Sequence, residues 1–334
     1  MVSTPRYQGP ANDHFDGRHF LNPRPVPHAG WFAFLRWKLT ARPGPWRDWT
    51  ESPPGPPPPA RVGPGELRAT FVNHATVLLQ VDGLNVLTDP IWSYRCSPFS
   101  FIGPRRHRPP GLRFEDLPPI DVVLLSHNHY DHLDVPTLRR LAARDHPRIF
   151  TGLGNRTFLE SRRIGRSEEL DWWGESEIAP GLRLRAVPAQ HFSGRGLRDR
   201  DTSLWTGFVI TGSSGTVYFA GDTGMGPHFE EIRERCGPIR LALLPIGAFQ
   251  PEWFMSRVHL SPEEAIEAHR TLGAAASMAI HFGTFKLADD GEDLPAETIR
   301  QALREAPDPK PRFWVPGFGE GRTIEEMMGS ATHA

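Results

Sequence analysis

The sequence predicts an α/β fold, a four-layer αββα sandwich with two facing sheets and helices on both outer surfaces. Three observations predict it. Hairpin-linked strands come first, at 67–72, 76–81 and 84–88, with Asp82-Gly83 as a two-residue turn. Strand–helix alternation follows, twice over. Within it, Asp121-Val-Val-Leu-Leu-Ser126 carries no polar alternation, which suits a strand covered on both faces.

Taken in order, residues 1–66 form an aromatic and proline-rich extension that packs on the body, and residues 67–334 form the main domain. Positions 41–66 hold nine prolines, which predicts an extended strap rather than helix or sheet. Before them, Trp31-Phe-Ala-Phe-Leu-Arg-Trp-Lys-Leu39 reads as a short helix. It either packs on the body or lies in a membrane interface with Trp31, Phe34 and Trp37 among headgroups. In the main domain a helix is predicted at 136–144, with Pro136 in its first turn. Further strands are expected at 182–187, 204–210, 215–220, 240–246, 276–281 and 312–315. Gly212-Ser-Ser-Gly215 is then a hairpin turn. Helices are expected at 153–164, 226–235, 262–272 and 295–305. Ser261-Pro-Glu-Glu264 is a capping box that starts the third of these.

Composition narrows the function. With 38 basic and 39 acidic side chains among 334 residues, the net charge is −1. Nucleic-acid binding rests on clustered Lys and Arg, so a broad nucleic-acid surface is excluded. Cys96 and Cys236 alone build neither a disulfide scaffold nor a cysteine zinc site. No run of ~18 apolar residues spans a bilayer, and the first ten residues lack an apolar leader core. The expectation is a cytoplasmic protein whose membrane contact, if any, is peripheral.

The chemistry concentrates in Ser126-His127-Asn128-His129-Tyr130-Asp131-His132, just past a buried strand. Positions i, i+2 and i+4 of extended chain share a face, so His127, His129 and Asp131 converge, and His132 reaches a second point. Three imidazoles and a carboxylate within six residues make a poor core segment, which points to metal binding. Two metals need further ligands. His191, Asp222 and His281 each follow a predicted strand, and Gly221 and Gly224 let the backbone approach closely around Asp222. Ser126 adjoins His127, but that histidine is committed to metal, so a serine triad is disfavoured.

These residues resemble the metallo-β-lactamase superfamily, whose His-x-His-x-Asp-His string matches 127–132. The resemblance implies one metal on His127, His129 and His191. It implies a second on Asp131, His132 and His281, with Asp222 bridging. Asp89, in Leu87-Thr-Asp-Pro90, matches an early aspartate of the superfamily; it either holds a ligand imidazole or caps a loop. No cysteine stands at the bridging place, which disfavours antibiotic hydrolysis. Further strings resemble the N-acyl-phosphatidylethanolamine-hydrolysing phospholipase D family. They include His74-Ala-Thr-Val77, Gly103-Pro-Arg-Arg106, Leu170-Asp-Trp-Trp173, Pro245-Ile-Gly-Ala248 and Trp253-Phe-Met255, in one order over about residues 68–285.

That resemblance implies a phosphodiesterase holding two Zn2+, with iron or manganese as alternatives. Hydroxide attacks phosphorus in an N-acylated phospholipid, releasing phosphatidic acid and an N-acylethanolamine. Asp131 and Asp222 serve catalysis with the metals. His259, in Arg257-Val-His-Leu-Ser261, serves as acid or substrate contact, or else packs at a helix entry. Tyr130 and the Trp253, Phe254 and Met255 segment are candidate substrate contacts, against core packing. Trp172 and Trp173 read as core, and His74 is a weaker candidate. A homodimer is implied. The competing readings are a hydrolase for a small phosphate ester or lactone on the same fold, and a metal or redox sensor without turnover.

Overall fold

Alternation along each strand decides which layer its side chains serve. In the computed structural model, which describes residues 7–24 and 30–329, α1 (Trp31–Thr40) precedes a meander of β1 (Leu67–Asn73), β2 (Thr76–Val81) and β3 (Leu84–Thr88). Parallel strands β4 (Val122–Leu125), β5 (Arg148–Gly152) and β6 (Ser167–Leu170) continue that sheet. Leu67, Ala69 and Phe71 of β1, Val77 and Leu79 of β2, and Val122 and Leu124 of β4 point into the central core. Val72, Leu78, Leu87, Val123 and Leu125 point the other way. There they meet Leu138 and Leu141 of α2 (Val135–Arg144) and Phe158 and Leu159 of α3 (Arg156–Ser161). Each buried side chain of this size stabilises the fold by roughly 1.5–3 kcal/mol. This is why the strands read as unbroken apolar runs.

The second sheet repeats the plan. It runs through β7 (Glu175–Ala179), β8 (Leu182–Val187), β9 (Gly207–Gly212) and β10 (Gly215–Phe219), all antiparallel neighbours. After α4 (His228–Cys236) come β11 (Ile239–Pro245), the short α5 (Glu252–Met255), α6 (Pro262–Leu272), β12 (Ala276–Ile280), α7 (Leu294–Glu305) and β13 (Phe313–Trp314). β11, β12 and β13 join in parallel order beyond β10. Phe229 and Ile232 of α4 and Ala265, Ala268 and Leu272 of α6 cover its outer side. β14 (Gly321–Thr323) then crosses back to pair with β1, and α8 (Ile324–Gly329) follows. The result is the four-layer αββα sandwich. Ser261 caps α6 with both reciprocal bonds of the box present, and Gly273 closes it at φ 60°.

Several elements differ from expectation, for identifiable reasons. β6 and β7 were not anticipated: they are sheet edges, and Ser167-Glu-Glu-Leu and Glu175-Ser-Glu-Ile-Ala are polar as edges tend to be. β5, α5, β14 and α8 were not anticipated either. The strand expected at 204–210 begins at Gly207, because Leu204 N–H bonds Leu153 and Thr206 N–H bonds Ser126, tying 204–206 across to the other sheet. The helix expected at 153–164 is confined to Arg156–Ser161.

Residues 41–66 contain no helix or strand and run along the body as a strap. Gly44, Thr50 and Gly55 donate backbone bonds to Asp289, His107 and Gly111. α1 seats Trp37 against Ala248, Met255 and Ala288, while Phe32 and Leu39 stay 85% and 78% exposed. The side chain of Trp31, part of the membrane-interface reading, and residues 1–6 of the leader reading lie outside the described residues. Among those described, no helix is long and apolar enough to cross a membrane.

Candidate metal centre

The ends of the strands bring the predicted residues together at one end of the sandwich. His127 to His132 follow β4, Asp222 follows β10, and His281 follows β12. Two glycines fit as expected: at Gly221, φ 62°, a Cβ would lie 2.5 Å from Ser126 Cβ, and at Gly224 one would lie 2.8 Å from Arg257 O. Three residues of the site, His74, Asp89 and His281, have left-handed φ of 48°, 32° and 62°. Such backbone costs of order 1–3 kcal/mol each. His281 N–H donates to His74 O at 2.7 Å, and His74 N–H to Thr284 Oγ1 at 3.0 Å, which helps hold two of them.

Hydrogen bonds set the tautomers. Asp89 Oδ2 accepts from His132 Nδ1 at 2.6 Å and from Ser126 Oγ at 2.5 Å. With its proton on Asp89, Ser126 Oγ accepts from His127 Nδ1 at 2.9 Å. His191 Nδ1 donates to Val258 O at 2.9 Å. The Nε2 lone pairs of His127, His132 and His191 are therefore left bare. His127 Nε2 and His191 Nε2 lie 2.8 and 3.3 Å from His129 Nδ1. Bare nitrogens this close suit a shared cation: at zinc–nitrogen distances of ~2.0–2.1 Å, neighbouring ligands of a tetrahedron are about 3.4 Å apart.

A second group comprises His74, Asp131, His132 and His281, its ligand atoms all within 4.8 Å of one another. His74 Nε2 donates to Asp131 Oδ2 at 2.9 Å. Asp222 Oδ2 stands between the groups, 3.2 Å from His132 Nε2, 3.1 Å from His281 Nε2 and 3.7 Å from His191 Nε2. Among the described residues, Asp222 Oδ1 and His281 Nδ1 are buried without a hydrogen-bond partner, and His281 Nε2 faces carboxylate oxygens. Orphaned buried polar atoms are costly unless something satisfies them, so the donor set fits bound cations.

The electrostatics agree. Burial holds His127 and His191 well below the usual imidazole range and pushes His129 and His259 down to about 4 and His74 to about 3. Neutral imidazole is the ligating form. Burial also opposes charge on His281, but the Asp222 and Asp131 carboxylates raise it to about 9, and they raise His132 as well. Two buried carboxylates thus demand positive charge, which protons or metal cations can supply.

A cavity of about 740 Å³ opens onto this cluster. Its floor includes His129, Asp131, Asp222 and His259, and its walls include Phe34, Trp37, Phe254, Met255 and Leu287. His259 Nδ1 lies 3.9 Å from Asp222 Oδ2. Two of the expected substrate contacts do not line this cavity. Tyr130 points out of this cavity: its hydroxyl donates to Arg195 O at 3.0 Å, and its ring lines a separate cavity of about 540 Å³. Trp253 is 40% exposed and lies under the Arg36 guanidinium, outside the lining. Trp172 is buried and donates its indole N–H to Trp205 O. Sequence reasoning missed Asn22, which bonds His191, and Arg195, whose guanidinium bonds Asn128 O and Leu133 O of the metal loop. Neither carries a local signal. Ser126, set aside as a nucleophile, is the link between His127 and Asp89.

Two sheets, flanking helices and a buried histidine–aspartate cluster at the strand ends define a metal-dependent hydrolase of the β-lactamase superfamily. Residues 84–282 match the beta-lactamase superfamily domain, and the chain belongs to that superfamily. It is 38% identical over 261 residues to N-acyl-phosphatidylethanolamine-hydrolyzing phospholipase D 1 of Caenorhabditis elegans, covering 75% of this chain and 73% of that one. It is 30% identical over 244 residues to a UPF0173 metal-dependent hydrolase of Methanopyrus kandleri, covering 71% of this chain and 94% of the other. In fold it is similar to Igni18, a metallo hydrolase from Ignicoccus hospitalis, with a TM-score of 0.56, 22% identity, and 77% and 98% of the two chains covered.

Proposed function

We propose that the protein is a dinuclear phosphodiesterase of phospholipase D type that hydrolyses N-acylated phospholipids to phosphatidic acid and an N-acylethanolamine. The observation that carries the reading is the apolar cavity of about 740 Å³ resting directly on the histidine–aspartate cluster. A small sugar phosphate or lactone needs a small polar pocket; Phe34, Trp37, Phe254 and Met255 instead suit an acyl chain. The similarity to the C. elegans phospholipase D supports the same substrate class.

In this reading His127, His129 and His191 would hold one cation and Asp131, His132 and His281 a second, with Asp222 within reach of both groups. Zinc is the expected metal. When bound, such a pair supplies Lewis acidity toward phosphate oxygens and an acidified water. Hydrolysis adds the water oxygen to phosphorus, breaks the bond to the N-acylethanolamine oxygen and returns a proton to that oxygen. Buried and held neutral near pH 7, His259 hydrogen-bonds the substrate beside Asp222 rather than donating as an imidazolium. The apolar walls bind the chain and exclude bulk water. Exposed Phe32 and Leu39 of α1 meet the bilayer in which the substrate resides.

The test is product analysis by mass spectrometry after zinc-loaded protein acts on N-acyl-phosphatidylethanolamine in oxygen-18 water. Labelled phosphatidic acid with unlabelled N-acylethanolamine is the expected result. Label in the N-acylethanolamine would overturn attack at phosphorus, and no turnover from protein carrying two metals would overturn the substrate in favour of a smaller ester or lactone.

A further inference from the structure

We propose that Asn22 is a positioning residue for the metal centre, so that the N-terminal segment 7–24 completes a site that the main domain does not complete alone. The proposal rests on the metal reading of the histidine cluster given above. Its starting point is a gap in pairing. His191 lies in the long connection between β8 and β9, outside any strand, and its residue is only 1% exposed. Buried backbone N–H and C=O groups require partners, and here no sheet neighbour supplies them.

Asn22 supplies both. Its Nδ2 donates to His191 O at 2.9 Å, and its Oδ1 accepts from His191 N–H at 2.9 Å. One side-chain amide therefore closes a two-bond ring on the backbone of a single residue, much as a neighbouring strand would. The same oxygen accepts from Trp205 Nε1 at 3.1 Å. On the far side, His191 Nδ1 donates to Val258 O, so the histidine is clamped from backbone and ring together. The ring's remaining nitrogen faces His129 and Asp222.

The segment that carries Asn22 is itself anchored. Phe15 and Phe20 are buried against Trp172, Ala189, Leu204 and Trp205. Phe20 N–H donates to Asp201 O at 2.8 Å, and His14 bonds Asp171 at 2.6 Å. These contacts fix the height of Asn22 over His191. Groups that orient a metal ligand typically change metal affinity 10–100-fold when removed. Only the cation on His127, His129 and His191 depends on this clamp.

The experiment is chelator competition with Zn2+, and absorption of the Co2+-loaded form, on the full chain. Wild type must first bind two cations; if it binds none, the metal reading itself fails. Asn22→Ala should weaken one of two cations 10–100-fold and leave the other unchanged. Asn22→Asp, which keeps the accepting oxygen but turns a carboxylate oxygen toward His191 O in place of the donor, should weaken the same cation and is a second variant should the alanine form misfold. Asn12→Ala removes a 3.4 Å contact to Asp171 and the 3.1 Å bond that Asn12 Oδ1 accepts from His14 N–H, leaves the Asn22–His191 ring in place, and should leave both affinities at the wild-type value. Wild-type affinity for both cations in both Asn22 variants, or equal weakening by Asn12→Ala, would overturn the proposal.

Discussion

Asp89 and His132 are both fully buried, and the carboxylate accepts from His132 Nδ1 at 2.6 Å. The pair sets which nitrogen of His132 faces Asp131 and Asp222. Through Ser126 the same carboxylate also sets His127. Asp89→Asn should therefore lower metal affinity about 10–100-fold while the fold persists. Metal titration beside circular dichroism checks this; unchanged affinity would assign Asp89 to loop capping.

Asp222 presents one oxygen to imidazoles of both groups. Asp222→Ala should cut metal content below that of wild type and reduce turnover by on the order of 10³-fold, the scale of several kcal/mol of transition-state stabilisation. A folded variant of full activity would sink the metal assignment. Elemental analysis and a turnover assay on the same sample decide it.

The cavity wall offers a steric test. Leu287 is half-buried and lines the chamber, as Met255 and His281 do. Leu287→Trp should lower kcat/KM for a long-chain N-acylated phospholipid about tenfold or more. A small chromogenic phosphodiester should be cleaved at close to the wild-type rate. Equal loss on both substrates would show that the residue supports the cluster rather than the chain.

His14 lies between Asp13 and Asp171, with 2.6 Å to each. Burial opposes its charge, but bonds to Asp171 and Asp13 prevail and raise its pKa above 6.5. The sign follows: stabilisation from this proton is complete below about pH 6.5 and is lost as pH rises through the raised value. The melting temperature of wild type should exceed that of His14→Asn at pH 6, and the gap should close toward pH 9. The gap should be small, about 2 °C, because Asp13 is exposed and screened. A gap independent of pH would leave His14 a packing role only.

Much of the site is legible locally. In His127–His132 the ligand-type residues sit at strand spacing within one loop, and His191, Asp222 and His281 each follow an apolar run. Both signals need only neighbouring residues. The capped start of α6 is equally local. The polar edges β6 and β7 escaped because an edge strand resembles a loop in composition. Tyr130 lies off the cavity lining because adjacency to a ligand residue says nothing about which side of the chain a ring takes.

The sequence by itself determined the two-faced strands, the metal-type cluster and the β-lactamase superfamily plan, since period-2 patterning and short-range motifs encode them. Only the tertiary structure decided that Asn22 clamps His191, that Asp89 reaches two imidazoles, and that Phe34 and Trp37 wall the cavity. Those partners are far apart in sequence, with 169 positions between Asn22 and His191 in numbering. Their meeting depends on how the layers close, and chain closure over such distances leaves no periodic trace in the residues that meet.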